Sequence, residues 1–573
     1  MESNAKSKTL LVAAFDFGTT YSGYAYSFQD DPNKIQTNQN WYAGGGASRL
    51  VSLKTPTSVL LNPDGEFDKF GFEAEDKYAI LAEEDKHHSW RLFRRFKMVL
   101  HNNKHLTKDV TVEDVCGERM KAFPLFVMSI KYLREHLLKA VTTQKVGIEE
   151  TDISYVLTVP AIWDDNAKRF MRDAAVAAEI DPGRLKLALE PECASIWCET
   201  LGTDVKGAVA IAGSQYMVVD LGGGTADISV HERESDGTLR EIHKASGGPW
   251  GGIFVDENYM KMLGQLYGKE ALNDLRKTEM GDYFDITRDF EHKKRSFDTE
   301  NTTHVVVRLS LSLRELADKH FKLSLKERMA ALDIPENSIK PISRDKLKIV
   351  GTVIQSWFKG PIDLLIQHIN SLLAEARMER VQTVILVGGF GESPYVQERM
   401  RNEIAGVRLI VPSDAGLAVL KGAVRFGHDP AIVSSRIMRF TYGTSVFKDF
   451  DEKKHSDEMK VWNNGKWVLD KCFKVYVRVN EEVRVDQQVT MESYPTSKLT
   501  LTPVYRATHG NPEYTTDPGC ELLGTVKLVN TTDIPFYQQH METTFMFGHT
   551  ELLVKTKNTT TGKEAFMTFK CFI

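Results

Sequence analysis

The apolar positions fall into short runs, each stopped by an acid, a proline or a glycine. Thr9–Phe15 is apolar and rich in strand formers until Asp16 ends it, and residues 10–30 read as a strand, a turn and a strand. Tyr155–Val159 is a second such run, closed by Pro160. The spacing then changes: Phe170, Ala174, Ala175 and Ala178 share one face of a helix predicted from about Asp165, with Asp165 or Asn166 as its cap. Another strand precedes Glu190, a helix rich in small residues starts near Pro191, and a second strand–turn–strand spans 216–230. Strands alternating with helices predict α/β layers.

Between 255 and 375 the pattern is largely helical and charged, ending in an apolar face over Ile362–Met378. Val381–Val387 reads as a buried strand running into Gly388-Gly389-Phe390-Gly391, and ligands of α/β sheets gather at such strand ends. Beyond about Asp429 the character shifts. Residues 472–573 alternate strand-length runs of Val, Thr, Phe and Tyr with turns such as Asp517-Pro518-Gly519, which predicts a separate all-β domain. The charged insert Lys448–Lys460 reads as an exposed loop.

Two of the strand turns nearly repeat each other: Phe15-Asp16-Phe17-Gly18-Thr19-Thr20-Tyr21-Ser22-Gly23 and Val219-Asp220-Leu221-Gly222-Gly223-Gly224-Thr225-Ala226-Asp227. Each carries an aspartate at a strand end, then glycines and threonine hydroxyls. A strand-end aspartate anchors Mg2+, usually through its waters, and glycines let backbone N–H groups reach phosphate oxygens. One copy alone also suits an ordinary tight hairpin. Two copies predict related halves closing on one nucleotide. Neither a P-loop nor a dinucleotide-binding glycine pattern is present in the sequence.

Composition narrows the classes further. A chain of 573 residues exceeds one ordinary core, and 42% hydrophobic with 26% charged residues is the balance of a soluble globular protein. The formal charge of −5 offers no basic field, so nucleic acid is not an expected partner. Lys6 and Lys8 before Thr9–Phe15 imitate a signal peptide, but Asp16 interrupts the run and a first strand is the better reading. No stretch reaches the roughly 18 apolar residues of a membrane span. Six scattered cysteines, without a Cys-x-x-Cys pair, fit a reducing cytoplasm, so the sequons at Asn301, Asn530 and Asn558 read as polar turns.

The paired turns and five further segments in order resemble the 70-kDa heat-shock chaperone family: Leu157-Thr158-Val159-Pro160-Ala161, Leu189-Glu190-Pro191-Glu192-Cys193-Ala194, Ser246-Gly247-Gly248 with Gly251-Gly252, Glu291-His292-Lys293-Lys294-Arg295, and Leu386-Val387-Gly388-Gly389. The C-terminal stretch, with its Thr561-Gly562-Lys563-Glu564 turn, is similar to that family's β domain. The departures described below place the resemblance on the divergent heat-shock 70-kDa protein 12-like branch. It implies an actin-like ATPase fold of two duplicated ribonuclease H-like lobes over 1–428, a linker at 429–436, and a β-sandwich of substrate-binding type over 437–573 without a helical lid.

The resemblance also implies roles. Asp16 and Asp220 would hold the Mg2+ shell, and Gly18, Thr19, Thr20 and Tyr21 with Gly222, Gly223, Gly224 and Thr225 would wrap the phosphates of ATP or ADP. Lys97 would touch the γ-phosphate and the attacking water, which Glu190 and Asp227 would orient; Asp220 and Thr225 complete the catalytic set. Gly251, Gly252, Glu291, Lys294, Arg295, Gly388 and Gly389 would line the adenosine cleft. Pro160 stands where the family has its relay proline, with Lys168 replacing an arginine.

Three departures qualify these expectations. Phe390-Gly391-Glu392 replaces a serine and a stacking arginine, and Asp298 replaces a serine at the adenosine. Pro430-Ala431-Ile432-Val433-Ser434-Ser435 replaces a leucine-rich acidic linker, so neither tight coupling between the domains nor a response to a J-domain co-chaperone follows from the resemblance. Two functions remain open: a slowly hydrolysing ATP-binding chaperone-like protein that holds polypeptide through its β domain, or a nucleotide-sensing adaptor for a signalling partner with little turnover. Sugar kinases and actin-type filament subunits share the paired turns, but neither is expected to carry the β domain.

Overall fold

The computed structural model describes residues 9–569 apart from 39–40, 44–49, 104–105, 145–146, 202–206, 208, 301, 333, 336, 454, 458–459, 464 and 549. Lys6, Lys8, Asn301 and Cys571 lie outside the described residues. Two sheets carry the α/β part, and they share one plan. In the first, the hairpin Leu11–Phe17 and Tyr21–Phe28 is extended by the parallel strands Ile153–Val159 and Leu185–Leu189. In the second, the hairpin Gln215–Leu221 and Ala226–Arg233 is extended on the same side by Val381–Val387 and Arg408–Ile410. All seven residues of Leu11–Phe17 and of Ile153–Val159 are buried, as central strands covered on both faces must be.

The helices Glu190–Cys198 and Ala418–His428 pack together where the two sheets come together, within one apolar cluster that takes Val12 and Val156 from the first sheet and Val218 and Ile385 from the second. Gly422 permits the approach, because a Cβ there would lie 3.1 Å from the Cα of Cys193 and closer to its carbonyl. At the far end the lobes touch again. Met280 and Phe284, on the helix Met280–Ser296, are buried with Leu60, Ala74, Tyr78, Ala82 and Leu92 of the first lobe. Arg288 reaches Glu75 and Asp76 at 3.1 and 2.8 Å, and Arg95 reaches Asp256 at 3.0 Å.

Several local expectations need adjustment. Asp164 caps the helix Asp165–Ala177, its carboxylate accepting from the Ala167 N–H at 3.0 Å, one residue before the expected cap. The helical stretch 255–375 contains a three-stranded sheet, His304–Arg308, Ile339–Ser343 and Lys346–Val350, whose alternating Val305, Val307, Leu347 and Ile349 are buried.

From Thr441 onward the described residues form strands and turns, with a short 3-10 turn at Phe536–Gln538. Nine strands make one sheet that closes over an apolar cluster including Val504, Leu523, Val526, Phe545, Val554 and Met567. The connecting segment is itself ordered: Val433–Ile437 is a strand that adds to the second lobe's sheet beside Leu239–Gly248 and pairs on its other side with Glu482–Arg484. Arg436 is buried there, its Nε and Nη2 donating to the two Glu192 carboxylate oxygens at 2.6 and 2.7 Å. Further ties run from the β part to the turn before the helix Asp165–Ala177. Tyr442 donates to Asp165 at 2.8 Å, Arg506 to Asp164 at 2.9 Å, and Arg439 to the Ala161 carbonyl at 2.9 Å.

Candidate functional site

The two hairpin turns face each other tip to tip. A Cβ on Gly223 would lie 2.6 Å from Cγ2 of Thr20, and one on Gly224 would lie 2.7 Å from Oγ1 of Thr19 and 2.5 Å from Sδ of Met98. Only glycine leaves room for this contact. Within the first turn Gly18 cannot carry a Cβ either, since it would overlap the Tyr21 carbonyl. Thr57 pins the same turn, donating its hydroxyl to the Gly18 carbonyl at 2.7 Å and its N–H to the Thr20 carbonyl at 2.9 Å. In the second turn the Gly222 N–H donates to the Thr225 carbonyl at 3.0 Å.

Four carboxylates lie beneath these turns. Asp16 and Asp220 are the penultimate residues of their strands, and Asp227 is the direct cross-strand partner of Asp220, where the first hairpin pairs Asp16 with Gly23. Glu190 comes from the first turn of the helix Glu190–Cys198. All four are buried, and two buried or half-buried lysines face them. Lys54 Nζ lies 2.6 Å from Asp16 Oδ2 and Lys97 Nζ lies 2.9 Å from Glu190 Oε1. Thr158 adds a hydroxyl to Asp16 at 3.3 Å, and Asp227 accepts from the Ile162 N–H at 3.0 Å.

The charges do not balance within this cluster, and the titration behaviour follows. Burial raises the Asp16 carboxyl, but the Lys54 ammonium, Lys97 and the Thr158 hydroxyl together hold it below the usual range. Among the described residues no cation stands at contact distance from Asp220; burial first, then the nearby Glu190, Asp227 and Asp16, push it far up against the weaker pull of Lys54. Glu190 is raised to about 7 by burial against the pull of Lys97. Asp227 is raised by burial, with the Ile162 N–H and the Thr225 hydroxyl opposing. Four acids on two lysines form an all-oxygen donor set that lacks positive charge, which suits a hard divalent cation such as Mg2+.

Lys97 reaches this spot from the turn Phe96–Leu100, which Arg95 enters with a left-handed φ of 55°. It is 3% exposed and its ammonium stands 5.0 Å from the centre of the Trp163 ring. Arg94 and Arg95, its neighbours, point elsewhere, to Glu75 and Asp256.

The glycine-rich loop before the helix Ile253–Tyr267 closes against the second turn. The N–H groups of Gly251, Gly252 and Ile253 donate to the carbonyls of Gly224, Gly222 and Gly223 at 3.2, 3.2 and 2.9 Å. Gly388 adopts a φ of 86° and its missing Cβ is what allows contact with Asp220 and the Leu221 carbonyl. Gly389 faces open space. Glu291, Lys294 and Arg295 are joined to one another, Lys294 at 2.5 Å and Arg295 at 2.7 Å from Glu291. Lys294 also meets Asp256 at 2.7 Å and the Gly252 carbonyl at 3.3 Å, while Arg295 stacks 5.1 Å from the Tyr21 ring. Against the effect of burial, the two cations hold Glu291 down at about 2. The replaced positions are accounted for locally: Phe390 packs on Gly252, Glu392 accepts from the Gly416 N–H at 2.8 Å, and Asp298 accepts from the Glu300 N–H at 2.9 Å.

Sequence reasoning missed Lys54, Thr57, Thr158, Met98 and Trp163. Lys54 and Thr57 flank Pro56 just before the buried run Ser58–Leu61, and a lysine and two threonines ahead of an apolar strand were the available signal. Met98 and Trp163 carried none, since their role is spatial.

Comparison with known proteins bears on this arrangement. A domain of unknown function (DUF8340) matches residues 212–412, from the second hairpin through Gly388 and Gly389. Heat shock 70 kDa protein 12A of Mus musculus is 32% identical over 97% of this chain and 90% of its own length. Heat shock 70 kDa protein 12B of Homo sapiens is 31% identical over 96% of this chain and 90% of its own. The chaperone protein DnaK of Thermoplasma acidophilum is 25% identical over 48% of this chain and 40% of its own.

Proposed function

The chain belongs to the 70-kDa heat-shock family, on the branch of heat shock 70 kDa proteins 12A and 12B, and we propose that it binds ATP and ADP with Mg2+ between its two hairpin turns, hydrolyses ATP slowly, and holds a polypeptide through its C-terminal β part. One observation carries the reading: the Thr19–Thr20 and Gly223–Gly224 tips meet above Asp16, Asp220, Glu190 and Asp227. In this reading residues 1–428 form the nucleotide-binding body, 429–436 connect, and 437–573 bind the partner.

The roles follow from the chemistry of phosphoryl transfer, in which positioning and cations supply most of the catalysis. Bound Mg2+ would neutralise phosphate charge beside Asp16 and Asp220. The N–H groups and hydroxyls of Gly18–Tyr21 and Gly222–Thr225 hold phosphate oxygens, and Lys97 presents its ammonium to the terminal one. Glu190, raised to about 7, accepts a proton from an attacking water that Asp227 orients. Lys294 and Arg295 with the glycines 251, 252, 388 and 389 border the nucleoside, where Glu392 and Phe390 in place of a stacking arginine weaken the hold on the base.

No helix among the described residues is long and apolar enough to cross a membrane. The free Cys193 and Cys198, buried on one helix, suit a reducing cytoplasm. Isothermal titration of the full chain with ATP or ADP in Mg2+ tests the reading. Binding that Asp220→Asn removes supports it; no binding of either nucleotide rejects it. Binding without measurable turnover, with a protein partner retained, moves the assignment to a nucleotide-sensing adaptor.

A further inference from the structure

Away from the hairpins, the turn Asp85-Lys86-His87-His88 gathers three groups able to hold a metal. One ring nitrogen of His87, one of His88 and a carboxylate oxygen of Asp85 all come within 4.8 Å of one another. His88 Nε2 is already 2.8 Å from Asp85 Oδ1, and the two imidazole rings are 4.3 Å apart.

His87 supplies the second, independent observation. It is 2% exposed, and its Nε2 lies 2.6 Å from the backbone carbonyl of Lys277. A carbonyl only accepts, so Nε2 carries the proton and Nδ1 carries the lone pair. That Nδ1 is buried and has no hydrogen-bond partner among the described residues. A buried nitrogen lone pair without a donor is costly unless something electrophilic meets it. An imidazole whose other N–H is fixed by a backbone carbonyl is also the arrangement that orients and strengthens a metal-ligating histidine.

We propose that Asp85, His87 and His88 form a site for a borderline divalent cation of the Zn2+ class. Two imidazoles with one carboxylate favour such ions over Mg2+ or Ca2+, which take oxygen ligands. Tetrahedral ligands about 2.0–2.1 Å from the ion lie roughly 3.3 Å from one another, so the exposed Asp85 and His88 side chains would close on a His87 that the Lys277 carbonyl holds in place, with water as the fourth ligand.

The position gives the site a consequence. Asp85, His87 and His88 belong to the first lobe, whereas Lys277 lies in the last turn of Lys269–Thr278 in the second. The carbonyl that fixes His87 therefore comes from across the cleft, beside the Met280 and Phe284 contact. Metal affinity and closure of the lobes are thus coupled, and each strengthens the other.

The test uses the full chain, Zn2+ and Co2+ as probes, and no nucleotide, so it stands apart from the nucleotide reading. Wild type should bind one equivalent of Zn2+ at this turn, give a tetrahedral Co2+ visible spectrum, and show slower amide exchange across 269–278 when loaded. His88→Gln and Asp85→Asn, both at exposed side chains, should each lower affinity at least about tenfold and abolish that spectrum. Cys116→Ser should leave binding unchanged, since the exposed thiol at Cys116 is not among the ligands. Equal affinity in wild type and His88→Gln, loss of binding in Cys116→Ser, or no binding of either ion by wild type overturns the proposal.

Discussion

Gly223→Ala tests the meeting of the hairpins. The new methyl would lie 2.6 Å from Cγ2 and 3.0 Å from Cβ of Thr20, where carbon atoms prefer about 3.5–4.0 Å. The tips must therefore part by roughly 1 Å. Overpacking of this kind costs about 1–3 kcal/mol. Because the tips meet where the phosphates are proposed to sit, most of that cost should appear in Mg2+–ADP binding, as roughly a fivefold to hundredfold loss of affinity. Thr20→Ala removes the clashing Oγ1 and Cγ2, so it should recover part of the loss in the double variant. The assay is a double-mutant cycle by titration calorimetry, with a coupling of about 1 kcal/mol or more favouring the pair. Wild-type affinity in Gly223→Ala, or a double variant no better than the sum of the singles, would refute the contact.

Other perturbations separate chemistry from structure. Lys97→Ala should slow single-turnover hydrolysis while sparing nucleotide affinity, and unchanged turnover would remove Lys97 from its assigned role. Arg436→Met strands the buried Glu192 carboxylate and should cost about 3–5 kcal/mol in denaturant unfolding, whereas adding Glu192→Leu should restore most of it; an unaltered midpoint in the single variant contradicts this. Glu241 is buried and raised to about 8, by burial first and then by Glu192, with the Ile437 N–H opposing. An acid raised in the fold supports stability fully below its ordinary 4.5, and that support is lost as pH climbs through 8. Glu241→Gln should therefore melt like wild type near pH 4.5 and increasingly above it toward pH 8; an equal difference at every pH would show that charge is not the cause.

The sequence displays the parts of the fold whose cause is local. Apolar runs ended by Asp16, Pro160 and Asp220 mark central strands because such strands need apolar residues on both faces, and both hairpins and the strand Val381–Val387 are where the pattern put them. The equal spacing of Asp16 to Gly23 and Asp220 to Asp227 even marks the extra acid of the second hairpin. What was hidden depends on groups distant in the chain. Lys54 approaches Asp16 only once its strand is placed, and Met98 and Trp163 matter by position alone. The strand character of Val433–Ile437 was masked by Pro430 and two serines, since its pairing is supplied by the second lobe rather than by its own alternation. The short sheet within 255–375 was hidden by charge, because its exposed face, with Arg308, Lys340 and Lys348, reads like a helix surface.

A crystal structure of the full chain with Mn2+ and ADP, read by anomalous scattering, bears most directly on the central claim. The account predicts the cation between the Asp16 and Asp220 carboxylates, with the diphosphate against Gly18–Thr20 on one side and Gly222–Gly224 on the other. A cation or diphosphate bound elsewhere, with the two turns still in contact and empty of ligand, would contradict it.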